Sequence, residues 1–375
     1  MKLSFAKNDL LNAIQIVQSS IASKSTLPVL SNVLIRALEN KVRLEATDLE
    51  VGVICTVKAE VITEGKITLP AKKFGEIIRE WPGEKEIEIT CSDGKKVEIK
   101  SGKIRASLHS ISPEDFPTIP EFPEKKSFKI SKSVFKEMIK KTYFATSTDE
   151  TRHVLNGINF MAGAGELKMV ATDGRRLAFI SRKNDQKDLN ASVIIPSKAI
   201  SELSRLLSLE DASDAQLKIA PFDNQISFQW ASGGEHITLI SRIIDGTFPN
   251  YEQVIPKSKE IEVKLKSDQL LSAVKRASLF ALDHGGSIRF NFSKGMLKIS
   301  ANSQGLGDAE EELEIAYNDK DFEIAFNPAF LMDILKNSDG PDVQMEFSTA
   351  LNPALIKPAS SDQYLCVIMP MRLTA

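Results

Sequence analysis

The same succession of parts occurs three times along this chain, at a spacing the size of a whole domain. In the first copy an amphipathic stretch at 5–21 is followed by LPVLSNVLI at 27–35, ATDLE at 46–50 and ITLPAKKFGEII at 67–78. The second copy runs SKSVFKEMI at 131–139, RHVLNGINF at 152–160, ATDGR at 171–175 and VIIPSKAISEL at 193–203. Asn32 to Asp48 in the first matches Gly157 to Asp173 in the second, both displaced by 125 positions. The third copy is more diverged: KSDQLLSAV at 266–274, SIRFNF at 287–292, ISANS at 299–303 and IAFNPAFLMDIL at 324–335. A period this long is a repeated domain rather than a solenoid unit, so the expectation is three similar domains with their own cores. Three like domains favour a curved or ring-like assembly over a single enzyme pocket.

Each copy carries two helical signals. Leu10, Ile14, Val17 and Ile21 share one helix face, as do Phe135 and Ile139 in the second copy and Leu270, Val274 and Ala277 in the third. The second helix of each copy follows a strand that ends at Pro70, Pro196 or Asn327. Proline is tolerated there because the first helical turn has no partner for its N–H. Between the helices, runs such as KEIEITCSDGKKVEIKSGKIRASL alternate with period two and break at SDGK, PFDN and SGGE, which reads as antiparallel meanders of about eight short strands per copy. The fold class expected is therefore α+β: three repeated domains, each with two helices on antiparallel sheets. SPEDFPTIPEFPEKK at 112–126 and DGTFPNYEQVIPKSKE at 245–260 are stiff proline-bearing linkers, which sets the domains at 1–125, 126–255 and 256–375.

Composition narrows the class. The chain is 42% apolar and 26% charged, as a globular protein is. Asp9 interrupts the first apolar run, which makes a poor signal peptide, and no stretch approaches 18 uncharged apolar residues. Cys55, Cys91 and Cys366 are too few and too scattered for a disulfide framework or a zinc site, so no metal is expected and a reducing cytoplasm is. A net charge of −2 argues against nucleic acid, but its distribution argues otherwise. The six helical segments at 7–22, 71–80, 131–145, 197–208, 264–281 and 327–338 hold 15 Lys/Arg against 7 Asp/Glu, leaving 33 against 43 elsewhere. Helices lining one surface would attract a polyanion while the rest stayed acidic. The alternative is that these lysines only solvate helix faces.

Catalysis finds little support. His109, His153, His236 and His284 lie far apart, and no HExxH, triad or Walker A pattern occurs. GAGEL at 163–167 lacks the strand–loop–helix setting of a dinucleotide site. Asp48 and Asp173 occupy one slot of two copies, but Asn302 replaces the carboxylate in the third. An Asp in a T-D-G or T-D-L turn is expected to bind its own backbone.

LPVLSNVL, ATDGRRLA at 171–178, DGTFPNY at 245–251 and VIMPMRL at 367–373, in this order within a threefold repeat, closely resemble the bacterial DNA polymerase III beta subunit family, the sliding clamps. The resemblance spans essentially the whole chain. It implies a head-to-tail homodimeric ring whose helices face double-stranded DNA without reading sequence, with no cofactor and no chemistry of its own. DNA-facing candidates carried over are Lys24, Arg152 and His153, and more weakly Lys72, Lys73, Lys136, Lys140, Lys198 and Arg205. Where the family commonly has two aromatics, this chain has His153 and Val154. The resemblance also implies a hydrophobic pocket for short peptides at Leu155, Thr172, Gly174, Arg175, Arg176 and Leu177, with Pro249, Val254, Val367, Met369, Pro370, Met371 and Arg372. Its partners would be the DNA polymerase III alpha subunit, clamp-loader subunits, and other polymerases and repair proteins. Arg175 and Gln253 stand where the best-known members carry His and Arg, and Thr374 and Ala375 extend past the usual end. On residues alone, VIMPM reads first as an ordinary final core strand, and it is the resemblance that reverses this reading. Ala106 and Leu108 on one edge, and Leu279 and Phe280 after a third-copy helix, are the implied dimer contacts. A peptide-binding scaffold that no longer encircles DNA is the other reading.

Overall fold

A computed structural model describes all residues except 23–25, 39–40, 82–85, 187–188, 210–214, 233, 282–285, 304 and 373–375. Lys24, His284, Thr374 and Ala375 therefore lie outside the described residues. The chain divides into two compact units, Met1–Lys136 with Lys198–Ile243, and Glu137–Ser197 with Ile244–Ala375.

Among the described residues six α-helices are formed: α1 Lys7–Gln18, α2 Ala71–Glu80, α3 Lys132–Thr142, α4 Ser197–Leu207, α5 Ser267–Ala277 and α6 Pro328–Asn337. The expected apolar faces are the buried ones. Leu10, Ile14 and Val17 of α1, Phe135 and Ile139 of α3, and Leu270, Val274 and Ala277 of α5 are all closed to solvent. Each of these side chains larger than alanine contributes about 1.5–3 kcal/mol by leaving water. The helices stop sooner than the periodicity predicts. α1 ends at Gln18, leaving Ile21 beyond it, and α3 and α5 pass into short 3-10 turns at Tyr143–Ala145 and Ser278–Phe280. Asn327 caps α6 by accepting from the N–H groups of Ala329 and Phe330, with Pro328 in the first turn. No helix among the described residues is long and apolar enough to cross a membrane.

The first unit holds an eight-stranded antiparallel sheet in the order Phe128–Ser131, Gln216–Phe222, Gln225–Ser232, Glu235–Arg242, Val51–Val57, Lys41–Thr47, Asn32–Leu38, Gly65–Pro70. The second holds the sheet Asn190–Pro196, Gly157–Gly163, Glu166–Thr172, Arg176–Lys183, Tyr364–Ile368, Ala354–Pro358, Asp342–Phe347, Ile261–Lys266. Both are made the same way: four strands from the front of one copy are sewn to the first strand and three back strands of the next. The seams are Val51–Val57 on Glu235–Arg242, with Val53 opposite Leu239, and Arg176–Lys183 on Tyr364–Ile368, with Ala178 opposite Cys366. This sewing across copies is invisible to a repeat-by-repeat sequence reading.

Two smaller sheets hold the unsewn halves. In the first unit the order is Glu60–Thr63, Lys2–Phe5, Ile87–Cys91, Lys96–Ser101, Ile104–His109, and in the second it is Gly307–Glu314, Met296–Ser303, Ile288–Ser293, Phe322–Phe326. Ile104–His109 and Gly307–Glu314 thus stand at sheet ends. The linkers pack down in matching fashion: Phe116 buries among Val29, Leu30 and Leu34, while Phe248 and Tyr251 close over Val170, Leu177 and Val367.

Candidate functional site

The second unit gathers most of the residues singled out for peptide binding. Asp173 organises the turn that presents them. Its Oδ1 accepts from the N–H groups of Arg175 and Arg176, both at 2.9 Å, as expected of an Asp in a T-D-G turn. Thr172 Oγ1 donates to the Arg176 carbonyl at 2.7 Å and accepts from Gly174 N–H at 3.1 Å. This places Gly174 at φ +83°, the left-handed region that favours glycine, and a Cβ there would stand 2.8 Å from Arg152 Nη1, so a side chain would have to displace that guanidinium.

Leu177 and Val367 are opposite one another across the seam and belong to one buried cluster with Val170 and Leu355. Phe179 stacks on Tyr251 with ring centroids 5.7 Å apart, and Phe248 and Ile255 complete the wall. Above this floor the surface opens. Val254 is 43% and Met369 40% exposed, large apolar groups left in water beside a buried apolar base. Met369 N–H donates to the Arg175 carbonyl at 2.8 Å, tying the tail to the turn, and Met371 bridges to Ala325. Leu155 and Pro370 are half-buried, and Pro249, Arg175 and Arg372 are exposed. An adaptable methionine beside fixed leucine and valine suits the capture of varied apolar side chains.

Arg176 lies on the inner side of the T-D-G turn. It is mostly buried: Nε meets Asp173 at 3.1 Å, Nη1 meets Asp333 at 2.7 Å, and the guanidinium lies 4.4 Å from the Phe330 ring centroid and 5.4 Å from that of Phe144. It braces α6 against the T-D-G turn and is a positioning group. Asp333, Phe330 and Phe144 escaped sequence reasoning because their only link to the motif is spatial. Burial pushes the Cys366 thiol up to about 12, so this cysteine packs the seam and is no nucleophile.

The basic candidates separate into two groups. Lys72 and Lys140 are exposed and make no ion pair among the described residues, and His153 is exposed. Lys73 is exposed but paired with Glu76, and Lys136 is half-buried. Others are engaged. Lys198 Nζ sits 2.7 Å from Asp48 and 2.6 Å from Glu50. Arg205 pairs with Glu202 and donates to the Ile16 carbonyl at 3.1 Å, tying α4 to α1. Arg152 donates to the Asp173 carbonyl at 2.9 Å and so supports the turn. Two lysines counted with the helical charge are buried outright, Lys132 and Lys141, the latter held by Asp339, Glu137 and the face of Tyr364. The outward basicity of the helices is therefore smaller than the composition of their segments.

Of the assembly candidates, Ala106 and Leu108 lie half-buried on the end strand Ile104–His109. Leu279, 63% exposed, and Phe280 sit in the 3-10 turn after α5.

Three family models match consecutive parts of the chain: the DNA polymerase III beta subunit N-terminal domain over residues 1–120, its central domain over 129–250 and its C-terminal domain over 252–372. Among curated relatives, the beta sliding clamp of Pseudomonas aeruginosa is 35% identical over 376 residues and that of Escherichia coli 32% over 374, each alignment covering 100% of both chains. Among solved structures, the DNA polymerase III subunit beta from Pseudomonas aeruginosa superposes with a TM-score of 0.92 at 34% identity. The DNA polymerase sliding clamp from Bacillus subtilis does so with 0.94 at 27%, and coverage is 100% of both chains in each case.

Proposed function

This chain belongs to the DNA polymerase III beta subunit family, the bacterial sliding clamps, and from that membership we propose that it works as a head-to-tail homodimer closed around duplex DNA. It tethers the polymerase and other DNA-processing proteins through the pocket of the second unit. It is a processivity subunit without chemistry of its own, acting in the cytoplasm, and the three copies 1–125, 126–255 and 256–375 are its repeated domains.

One observation carries the closure. Each eight-stranded sheet joins the front of one copy to the back of the next, so the pattern leaves the back of copy one and the front of copy three unsewn. Their end strands, Ile104–His109 and Gly307–Glu314, correspond to the two sides of the existing seams. A third seam of the same kind joins one protomer to another, and two such seams close a dimer. The charges favour this pairing. Lys103, Arg105 and His109 are exposed on or beside one edge, and Asp308, Glu310, Glu312 and Glu314 on the other. Acidic edges repel their own kind and attract the basic one. Closing the edges also removes open strands that invite aggregation.

With DNA held by closure, contacts to it need only be weak and sequence-blind. Exposed lysines such as Lys72 and Lys140 supply these as point charges, reaching phosphates directly or through water. The apolar patch around Met369, Val254 and Leu177 takes short peptides of the polymerase alpha subunit, the clamp loader and repair proteins. Sedimentation at micromolar concentration is expected to give twice the 41.4 kDa chain mass. A single species of one chain mass would remove the ring.

A further inference from the structure

Of the nine methionines in the chain, Met369 alone is exposed. Met138, Met169 and Met345 are closed to solvent, and the other five are half-buried. Met369 is therefore the methionine most open to a dissolved oxidant. The thiols do not compete with it. Cys55, Cys91 and Cys366 are all buried, and burial pushes the Cys366 thiol up to about 12 and the Cys55 thiol higher still. Cysteine reacts as the thiolate, so at neutral pH the first sulfur that a peroxide attacks in this protein is a thioether.

The position of this thioether gives its oxidation a consequence. Met369 N–H donates to the Arg175 carbonyl at 2.8 Å, which carries the seam ladder one step beyond Ile368 opposite Arg176. Side chains two apart on a strand share a face, so Met369 stands on the side of Val367. That is the side on which Phe248, Tyr251 and Ile255 pack against the buried cluster of Val170, Leu177, Leu355 and Val367. The ladder holds the backbone without using the sulfur, so a change at Sδ alters the surface and leaves the tail in place.

We propose that Met369 is an oxidation switch on the second-unit pocket: a hydroperoxide converts its thioether to the sulfoxide, and the pocket then rejects apolar peptide side chains. This rests on the reading of that patch as a peptide pocket. In the oxidation a sulfur lone pair takes one peroxide oxygen, and the S–O bond forms as the O–O bond breaks. Sulfur is oxidised by two electrons, and the other oxygen leaves with the peroxide proton as water or an alcohol. The added oxygen is a strong acceptor, and its apolar neighbours Leu177 and Val367 have no side-chain donor for it. A peptide seated over it strips its water and leaves it unpaired, a cost that the thioether, a weak acceptor, escapes. Arg175, across the ladder, is exposed, and a guanidinium turned to the oxygen would lie over the apolar floor and exclude the peptide in its turn. Enzymatic reduction of the sulfoxide restores the surface, so the switch is reversible.

The test treats full-length protein with millimolar hydrogen peroxide, removes the peroxide, and maps added oxygen by peptide mass. Affinity for purified polymerase alpha subunit is measured before treatment, after it, and after incubation with methionine sulfoxide reductases and a thiol reductant. Met369 is expected to gain one oxygen before any other sulfur, affinity to fall about tenfold, and reduction to restore it. Met369→Leu has no sulfur to oxidise and is compared only with itself. Whatever its starting affinity, peroxide should leave that affinity unchanged. Oxidation of another residue first, full affinity with Met369 wholly oxidised, or an equal loss in Met369→Leu overturns the proposal. Untreated protein that does not bind the alpha subunit defeats the pocket reading before any peroxide is added, and the switch falls with it.

Discussion

Glu45 is a carboxylic acid almost closed to water, with Arg36 at 3.3 Å as its one direct ion partner among the described residues. Burial pushes its pKa above the ordinary value of 4.5, and the nearby Arg36 and Arg43 offset only part of that. Folding therefore favours the neutral form of this acid more than the unfolded chain does. The stability this group supplies is full below pH 4.5 and is lost as pH rises through its higher folded value. Glu45→Gln keeps the shape without the charge and leaves Arg36 half exposed to water. Calorimetry is expected to show this variant melting about 2 °C or more above the parent at pH 7 and level with it at pH 4. A lower melting point at pH 7 would contradict the sign. At this scale the sequence was partly legible. ATDLE beside ATDGR displays the Leu-for-Gly exchange at positions 49 and 174. That the leucine keeps the glycine's backbone, at about 1–2 kcal/mol, needed the Asp48 hydrogen bonds to be seen.

Among the elements, the helices were the most legible, since one apolar stripe fixes both their existence and their buried side. Their charge was the least legible. Lys132 and Lys141 count as basic in any tally, yet both are buried, and Lys141 takes its partner Asp339 from far along the chain. The end strands lend themselves to a sharper prediction. Val53 faces Ala46, Ala178 faces Ala171 and Ala309 faces Ala301 in equivalent hairpins, so the seam register transfers to Ala309. Leu239 and Leu108 are each the fifth residue of the second strand of a hairpin. The intermolecular seam then sets Leu108 opposite Ala309 and Arg105 opposite Glu312. Opposite charges facing across strands contribute about 0.2–1 kcal/mol, and like charges cost a similar amount. Sedimentation equilibrium is expected to show Glu312→Arg weakening self-association about tenfold, close to 1.4 kcal/mol over the two seams. Pairing it with Arg105→Glu should restore much of the loss. Additive weakening by the two changes would place these side chains apart.

For the whole molecule, the threefold repeat was plain in the sequence, and so was the presence of something special in ATDGRRL and VIMPMRL, which occur once each. The way the copies are sewn was hidden, because strand pairing between copies leaves no periodic trace in either. That sewing joins the Arg176 strand to the Val367 strand, so the two unique motifs of separate copies make one surface. It also leaves two complementary edges, on which the proposed closure rests. The central claim is that the protein holds DNA by encircling it. The most direct measurement is retention on nicked circular duplex after loading, followed through gel filtration before and after one restriction cut. The protein should stay with the circle and leave once the DNA is linear, at salt concentrations that abolish ordinary phosphate binding. Equal retention, or equal loss, on the circular and linear forms would contradict encirclement.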